Sequence, residues 1–314
     1  MNNYKEFDDE IGLTELFAVI WLNKIFILAS TATITLIALL ISLLLTNIYT
    51  AQSLLTPTSS GTSSNLMSQY SGLASMAGIN LPQGEGENAE VIAINLINSK
   101  RLLERLMLNE SFLPDLLAAK KWNMQTNTII YDSSLYDKKN NKWVRKVSLP
   151  FGQIPSSQEA LKEFSKIVSI SQDKKTKLVR LNVSHLSPVV AKEWSIWIVK
   201  EINTILANMQ ITTSQASIDY LNTQIKVTPY SELRTMFYQL IQESTQNMML
   251  AKVKREYALT TIDPPVVPEE KSQPKRILII IFATLLGFIL SVLIILVRKY
   301  GFSQDGELDI FKLR

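Results

Sequence analysis

The sequence has no cysteine and a single histidine, His185, among its 314 residues. A cysteine–histidine catalytic pair is therefore excluded, and one histidine without cysteine argues against a zinc site. His185 lies at the edge of a loop, where a structural role is expected. A phosphate-binding loop of the pattern Gly-x4-Gly-Lys-Ser/Thr is also absent from the sequence. We therefore expect a protein that is not an enzyme, with no catalytic residue, no metal site and no cofactor.

Charge is also scarce in parts of this chain. The net charge of +4 is too small for this length to indicate a nucleic-acid partner. Residues 25–84 contain no charge, and they begin with an apolar run that ends at Ile48. A second run of 21 uncharged residues occupies 277–297. Because roughly 20 apolar residues suffice for a helix to cross the hydrocarbon core of a bilayer, two transmembrane helices are predicted, at 25–48 and 277–297.

Two spans place both termini on one side of the membrane and a large domain on the other. Only short flanking segments indicate the orientation, because long loops cross largely regardless of charge. Basic residues in both terminal segments favour cytoplasmic termini, whereas Lys275 and Arg276 argue the other way. The expected organisation is a cytoplasmic segment 1–24, a first span 25–48, a periplasmic domain 49–276, a second span 277–297 and a cytoplasmic tail 298–314.

A proline-rich strap leads into the second span. Four prolines occur from Pro264 to Pro274, and proline cannot continue a helix because it lacks an amide hydrogen. The strap, residues 263–274, is therefore predicted to be extended and semi-rigid. Rows of small residues let helices approach closely in lipid. Helix packing is predicted at two such rows, Ala283, Gly287 and Ser291 in the second span and Ser30, Ala38, Ser42 and Thr46 in the first.

The segment between the spans combines strand and helix patterns. Residues 49–55 and 177–184 read as strands, the second with clear alternation. Ser156 and Glu159 have the spacing of a capping box at the start of a helix. Ser187 and Pro188 are the residue types preferred at the N-cap and the first position of the next helix. An α+β fold is therefore expected for the domain.

Two long helices are expected at the C-terminal side of this domain. Apolar residues recur at helical spacing on both sides of Thr228-Pro229, where the second helix is expected to begin. The first helix would reach about 60 Å if it is continuous. The pair is predicted to form an antiparallel hairpin, a helical arm over about 188–258 that projects from the domain. Ile202 and Leu240 are expected on its apolar stripes.

Two other stretches are less regular. Residues 56–87 are rich in Ser, Gly and Asn and predict a surface loop with a short apolar contact segment. Residues 137–146 combine four lysines and an arginine with Trp143. This combination fits contact with an acidic sugar polymer, because aromatic faces stack on sugar rings and cations meet acidic groups. It fits a solvated loop as well, and the sequence leaves both interpretations open.

The strap and the span that follows it resemble a known family. The pattern Pro265-x2-Pro268-x4-Gln273-Pro274-Lys275-x11-Gly287 is similar to the proline-rich motif of polysaccharide co-polymerases, the Wzz-type chain-length determinants. Gln273 stands where the family has serine, and Gly287 lacks the glycines that follow it there. Further stretches that resemble the family are 11–24, Tyr49-Thr-Ala, Leu73-Ala-Ser-Met-Ala-Gly78 and 177–203.

This resemblance implies a bacterial inner-membrane protein with cytoplasmic termini, a ferredoxin-like α/β base near the membrane and a projecting helical hairpin. It implies a homo-oligomeric ring, an octamer, that carries no catalytic residues. The implied role is control of the modal length of O-antigen, enterobacterial common antigen or capsule chains in lipopolysaccharide or capsule biosynthesis. The implied partners are a Wzy-type polymerase, the growing polysaccharide or lipid-linked glycan, and membrane lipid.

Two alternatives share the two spans and the large loop between them. One is a membrane modulator of a bacterial tyrosine kinase in capsule or exopolysaccharide export, whose kinase would have to be a separate subunit because the phosphate loop is absent. The other is a two-span periplasmic sensor, which would need a signalling segment after Val297, where 17 residues remain.

Overall fold

The computed structural model describes residues 13–58 and 85–301. The predicted loop at 56–87 and the family-like stretch Leu73–Gly78 therefore lie largely or wholly outside the described residues. The chain divides into two units. Of the described residues, one unit contains 13–47 and 273–301 and is helical, and the other is an α/β domain from Ile48 to Ser272.

The helical unit contains α1 (Leu13–Leu22), α2 (Lys24–Leu44) and α9 (Arg276–Leu296), which continues into a π-helical turn at Val297–Gly301. Two of the described helices, α2 and the helix that begins at Arg276, are long and apolar enough to cross a membrane. The helix α2 ends at Leu44, earlier than the predicted limit of 48, because Leu45 is extended and the chain enters a strand at Tyr49.

The α/β domain is built on a four-stranded sheet whose neighbours are all antiparallel. Its strands are β1 (Tyr49–Pro57), β6 (Val168–Gln172), β7 (Val179–His185) and β8 (Leu259–Asp263), in the spatial order β6-β7-β1-β8. In the central pair, Tyr49 at the start of β1 is paired with His185 at the end of β7. Consecutive strands β6 and β7 form a hairpin, and the connections from β1 to β6 and from β7 to β8 contain helices.

One face of this sheet is buried. Along β7, every second residue from Val179 to His185 is buried, and in β1 Ala51, Ser53 and Leu55 are buried on the same side. This alternation is what a half-buried strand requires, since successive side chains point to opposite faces. The predicted alternating strand at 177–184 is therefore present, displaced slightly towards His185.

Shorter elements connect β1 to β6. They are three helices, α3 (Glu85–Leu96), α4 (Lys100–Leu106) and α5 (Phe112–Leu117), then four short strands, β2 (Ala119–Asn123), β3 (Thr128–Tyr131), β4 (Tyr136–Asp137) and β5 (Lys142–Trp143), and the helix α6 (Ser157–Ile167). The strands form two small hairpins, β2–β3 and β4–β5. Sequence analysis did not identify these hairpins.

Caps fix where two of the helices begin. The hydroxyl of Ser156 accepts a hydrogen bond from the amide of Glu159, and the Glu159 carboxylate accepts one from the Ser156 amide, so the predicted capping box is formed. Ser187 caps the next helix, with Pro188 in the first turn. These contacts are local, which is why the sequence predicts them correctly.

Two helices follow, α7 (Pro188–Val227) and α8 (Ser231–Val253), and they pack against each other. The helix α7 is continuous for 40 residues. The predicted start of α8 at Thr228-Pro229 is wrong, because Thr228 and Tyr230 are both extended and the helix begins at Ser231. A residue before proline avoids the helical region, which separates the two helices at this point.

Among its described residues, the domain has two apolar clusters. The larger, which we call the base core, includes Phe112, Phe164 and Trp194 with residues of β1, β7 and the first half of α7. The ring of Phe112 lies 4.7 Å from Trp194 and 6.0 Å from Phe164 between centroids. The smaller cluster contains only residues of α7 and α8, centred on Leu221, Met236 and Phe237. We call the sheet with its packed helices the base, and residues 210–253 the arm.

Candidate functional site

The strap leaves the sheet directly after β8. The ladder between β1 and β8 ends at the pair Leu54 and Asp263, and two prolines follow, which cannot donate to a ladder. The structure places Pro265 in a buried position, whereas Pro268 and Pro274 are partly buried. The residues predicted as one motif therefore differ in their surroundings.

Pro264 and Pro265 pack where the arm joins the base. They line a groove of about 960 Å³ together with residues of α7 and the end of α8. Lys200, Lys254 and Arg255 also line this groove, while Ser53 contributes from β1. The first part of the strap thus borders the same groove as residues of α7 and the end of α8.

The end of the strap is anchored by Ser272, a residue that sequence analysis overlooked. Its amide donates to the carbonyl oxygen of Ile48 at 2.8 Å, and its hydroxyl lies 2.9 Å from the same oxygen. The hydroxyl of Thr50 lies 2.7 Å from that of Ser272 and 2.9 Å from that of Ser184. A chain of hydroxyl groups therefore joins the strap to the first residues of β1 and the last residues of β7.

Asn203 is a second anchor that sequence analysis missed. This buried side chain donates to the carbonyl oxygen of Leu259 at 2.9 Å and accepts from the amides of Ala258 and Leu259 at 2.8 and 2.9 Å. It fastens the middle of α7 to the start of β8. The sequence offered one signal for this anchor, a polar residue directly after Ile202 in an apolar stripe. A buried amide needs hydrogen-bond partners, so such a residue is a candidate for a buried contact.

In the helical unit, Gly287 and Ser291 lie against α2. A Cβ atom added to Gly287 would lie 3.3 Å from both Cβ and Cγ2 of Ile34, which is closer than ordinary van der Waals contact. The hydroxyl of Ser291 lies 2.6 Å from that of Ser30 and donates to the carbonyl oxygen of Gly287. Ile34, which interrupts the row of small residues in the first span, therefore fits against the glycine.

Other predicted residues of this unit have different positions. Ala283 is partly buried and lies one helical turn before Gly287, on the same row. Lys275 is exposed and occupies the N-cap position of α9 without a side-chain capping bond. Thr35 and Thr284 form a second hydroxyl contact between α2 and α9, at 3.0 Å. Polar pairs of this kind add to helix association in lipid.

His185 lies in a buried hydrogen-bond network. Its Nδ1 accepts from the amide of Ser187 at 3.0 Å, so Nε2 carries the proton and donates to the carbonyl oxygen of Asp115 at 3.1 Å. Burial lowers the pKa of His185 below its ordinary value. Burial also raises the pKa of Asp115, whose carboxylate accepts from the hydroxyl of Tyr131. Both ring nitrogens are engaged in holding β7, α5 and the start of α7 together.

Arg145 and Glu159 form an ion pair that sequence analysis did not identify. The guanidinium donates to both carboxylate oxygens, at 2.7 and 2.9 Å, and to the carbonyl oxygens of Gly152 and Gln153. The bond to Arg145 lowers the pKa of Glu159 to about 2. The pair fixes the loop before α6. Within residues 13–58 and 85–301, no three His, Cys, Asp or Glu side chains cluster as they would to hold a metal ion.

Two family models match this chain. Residues 9–110 match the Wzz family, described as "Chain length determinant protein", which confirms the predicted resemblance for that segment. Residues 226–300 match the GNVR family, described as "G-rich domain on putative tyrosine kinase". That second match covers α8, β8, the strap and α9.

Two solved structures are similar in part. A "full-length bacterial polysaccharide co-polymerase" is 12% identical, with a TM-score of 0.40, and the match covers 94% of this chain and all of that one. A "Fragment of WzzB, Polysaccharide Co-polymerase from Salmonella Typhimurium" is 10% identical, with a TM-score of 0.31, and the match covers 72% of this chain and all of that one. Among curated protein sequences, none matches this chain.

Proposed function

We propose that this protein regulates the chain length of a bacterial surface polysaccharide, acting beside a Wzy-type polymerase without catalysing a reaction itself. The observation that carries the proposal is the match of residues 9–110 to the chain length determinant family. The polymer would be O-antigen, enterobacterial common antigen or capsule. A regulatory role also accords with His185, whose ring nitrogens are both committed to structural hydrogen bonds.

The proposed location is the bacterial inner membrane, with α2 and α9 as spans, cytoplasmic termini and a periplasmic domain. The length and apolar character of both helices support this arrangement. The division proposed from the sequence, with spans at 25–48 and 277–297, is retained apart from the helix ends described above. Reporter fusions within residues 100–250 should report the periplasm, and fusions after Lys24 should report the cytoplasm.

The base is proposed to be ferredoxin-like. The order β6-β7-β1-β8 supports this, because β1 and β6 are parallel strands with β7 between them, and helices occur in both crossovers. The strap residues Pro265, Pro268 and Pro274 are proposed to couple this base to the second span. The position of Pro265, buried at the groove that residues of α7 and the end of α8 also line, supports that role.

A homo-oligomeric ring, an octamer by resemblance, is proposed as the working form. Exposed apolar side chains on the arm support contact with a neighbouring subunit, because apolar patches on a surface mark interaction sites. They are Tyr220, Val227, Tyr230, Tyr238, Met249, Leu250 and Val253. A head-to-tail interface that closes on itself would place identical arms around one axis.

The GNVR match favours a second candidate function, a membrane adaptor of a bacterial tyrosine kinase in polysaccharide export. One experiment separates the two. Deleting the gene should leave total polymer unchanged but spread its length distribution, and the intact gene should restore the modal band on a gel. Loss of all exported polymer, together with reduced tyrosine phosphorylation of a separate kinase, would instead support the adaptor.

A further inference from the structure

The two small hairpins carry a concentrated positive charge. Residues 119–146, which we call the hairpin platform, contain seven basic and two acidic side chains, whereas the whole chain has a net charge of only +4. Two of the basic residues have acidic partners, since Lys120 pairs with Asp132 and Arg145 with Glu159. The others include Lys121, Lys139 and Lys142, whose side chains are exposed. The platform is therefore more basic than the chain as a whole.

The platform lies at one particular end of the sheet. The ring of Trp122 contacts that of Tyr49, with centroids 5.6 Å apart, and Tyr49 is the first residue of β1. On the neighbouring strand, His185 is paired with Tyr49 and hydrogen-bonded to Asp115, which also binds Tyr131 of the platform. The second hairpin is joined to the first by a ring contact, because the ring centroids of Tyr131 and Tyr136 lie 5.5 Å apart.

This end is also where the domain connects to both apolar helices. Only residues 45–48 separate α2 from β1, and four residues span at most about 14 Å. At the C-terminal end of the domain, Ser272 is hydrogen-bonded to Ile48, and only residues 273–275 separate Ser272 from the start of α9. If α2 and α9 cross a bilayer, these short connections keep the start of β1 and Ser272 within a few residues of chain from its surface.

The exposed side chains of the platform are those of a lipid interface. Met124, in the turn of the first hairpin, is 78% exposed, and Ile130 is exposed beside its cross-strand partner Lys121. Clustered lysines favour anionic lipids. Sugar binding would need open aromatic faces, but Trp122 and Trp143 are half-buried in contacts with Tyr49 and Tyr136.

We propose that the hairpin platform docks on anionic phospholipid headgroups, with Lys139 and Lys142 at the phosphates and Met124 at the edge of the hydrocarbon. Docking would hold the end of the domain against the bilayer at a third point beside the two chain connections. The inference rests on the membrane-spanning arrangement proposed above, and it does not require control of chain length.

The chain provides a matched control surface. The turn between β6 and β7 also presents lysines, Lys174 and Lys175, but it lies at the opposite end of the sheet, where Gln172 pairs with Val179. Because the sequence has no cysteine, a single introduced cysteine can be labelled without further changes. The full chain carrying Met124→Cys or Lys174→Cys would be labelled with a fluorophore and placed in lipid nanodiscs.

Quenching by brominated acyl chains then reports contact with hydrocarbon. In discs containing phosphatidylglycerol, the label at 124 should be quenched and the label at 174 should not. In phosphatidylcholine discs the quenching at 124 should fall. Equal quenching at both positions, or none at either, would overturn the proposal. If quenching at 124 did not depend on lipid charge, and polygalacturonate changed the fluorescence of that label, the proposal would be overturned in favour of an acidic sugar.

Charge variants test the same surface independently. Each lysine near an anionic surface shifts the ratio of docked to undocked protein about five-fold. The variant Lys139→Gln/Lys142→Gln should therefore lower that ratio roughly 25-fold, as read from the quenching at 124. The matched variant Lys174→Gln/Lys175→Gln should leave it unchanged. Equal effects of both variants would show a general charge attraction and contradict a specific platform.

Discussion

The two halves of α7 have very different surroundings. The first half lies in the base, where ten of its residues between Pro188 and Leu206 are buried, whereas in the rest of the helix only Ser214 and Leu221 are buried. The first half packs on a sheet and on other helices, and the second half has α8 as its packing partner. One helix therefore contributes both to the base core and to the small cluster between α7 and α8.

This difference has consequences for stability and for function. Buried apolar area stabilises a fold in proportion to its extent, so the base should stay folded when the arm is disturbed. Regions with few buried contacts open locally at low free-energy cost. The arm can thus open locally without unfolding the base.

The largest expected effect is that of Ile202→Asp. Ile202 was expected on the stripe of the arm, but the structure places it, fully buried, in the base core. A buried charge there should cost about 5 kcal/mol and unfold the domain. Thermal unfolding of the purified protein measures this. Ile196→Asp, at a half-exposed position of the same helix, should cost far less, and equal losses would contradict the assignment of Ile202.

Asn203→Leu tests the border between the two regions. It removes the partners of three backbone groups at Ala258 and Leu259, each of which costs about 1–3 kcal/mol when left unpaired. We expect a loss of about 4 kcal/mol after partial repair by water. Denaturant unfolding gives the value. Asn208→Leu, at an exposed position further along the same helix, is the control and should change stability by less than about 0.5 kcal/mol.

Phe237→Ala should affect the arm alone. Phe237 is buried in the small cluster, and truncating such a side chain costs about 3 kcal/mol. Hydrogen exchange followed by mass spectrometry should show faster exchange in residues 210–253 and unchanged exchange in the base. Tyr238→Ala removes an exposed neighbour and should leave both regions unaffected. Faster exchange of the base in the Phe237 variant would show that the two regions are not separable.

The smallest expected effect is that of acid on the stability of the base. The pKa of His185 is lowered in the fold, so its contribution is complete above about pH 6.5 and is lost as the pH falls below that value. Glu159, with a pKa of about 2, contributes above its ordinary value of 4.5 and loses that contribution as the pH falls through 2. His185→Asn should flatten the first decline in the free energy of unfolding, measured between pH 7 and 5. An unchanged decline would assign it to other groups.

Local signals in the sequence predicted several elements correctly. The capping box at Ser156 and Glu159 and the cap at Ser187 depend on neighbours in the chain, so their spacing was sufficient. The start of α8 was predicted three residues too early because Pro229 was taken as the first turn rather than as part of the linker. The short hairpins were missed because two to five residues carry little periodicity.

Contacts between distant residues could not be predicted. Ser272 finds Ile48 across more than two hundred residues, and Asn203 finds Leu259 only when the sheet and α7 are assembled. Sequence spacing contains no information about such pairs without related sequences. The same holds for Ile202, whose stripe continues from the base into the arm without any change of pattern.

We propose that the assembled arm, rather than a catalytic group, determines polymer length. The most direct test compares Phe237→Ala with Tyr238→Ala in a strain lacking the native gene, at equal protein levels, by the polysaccharide ladder and by the mass of the solubilised complex. Phe237→Ala should broaden or abolish the modal band while total polymer stays constant. A normal modal band from a Phe237→Ala protein whose arm exchanges hydrogen freely would contradict it.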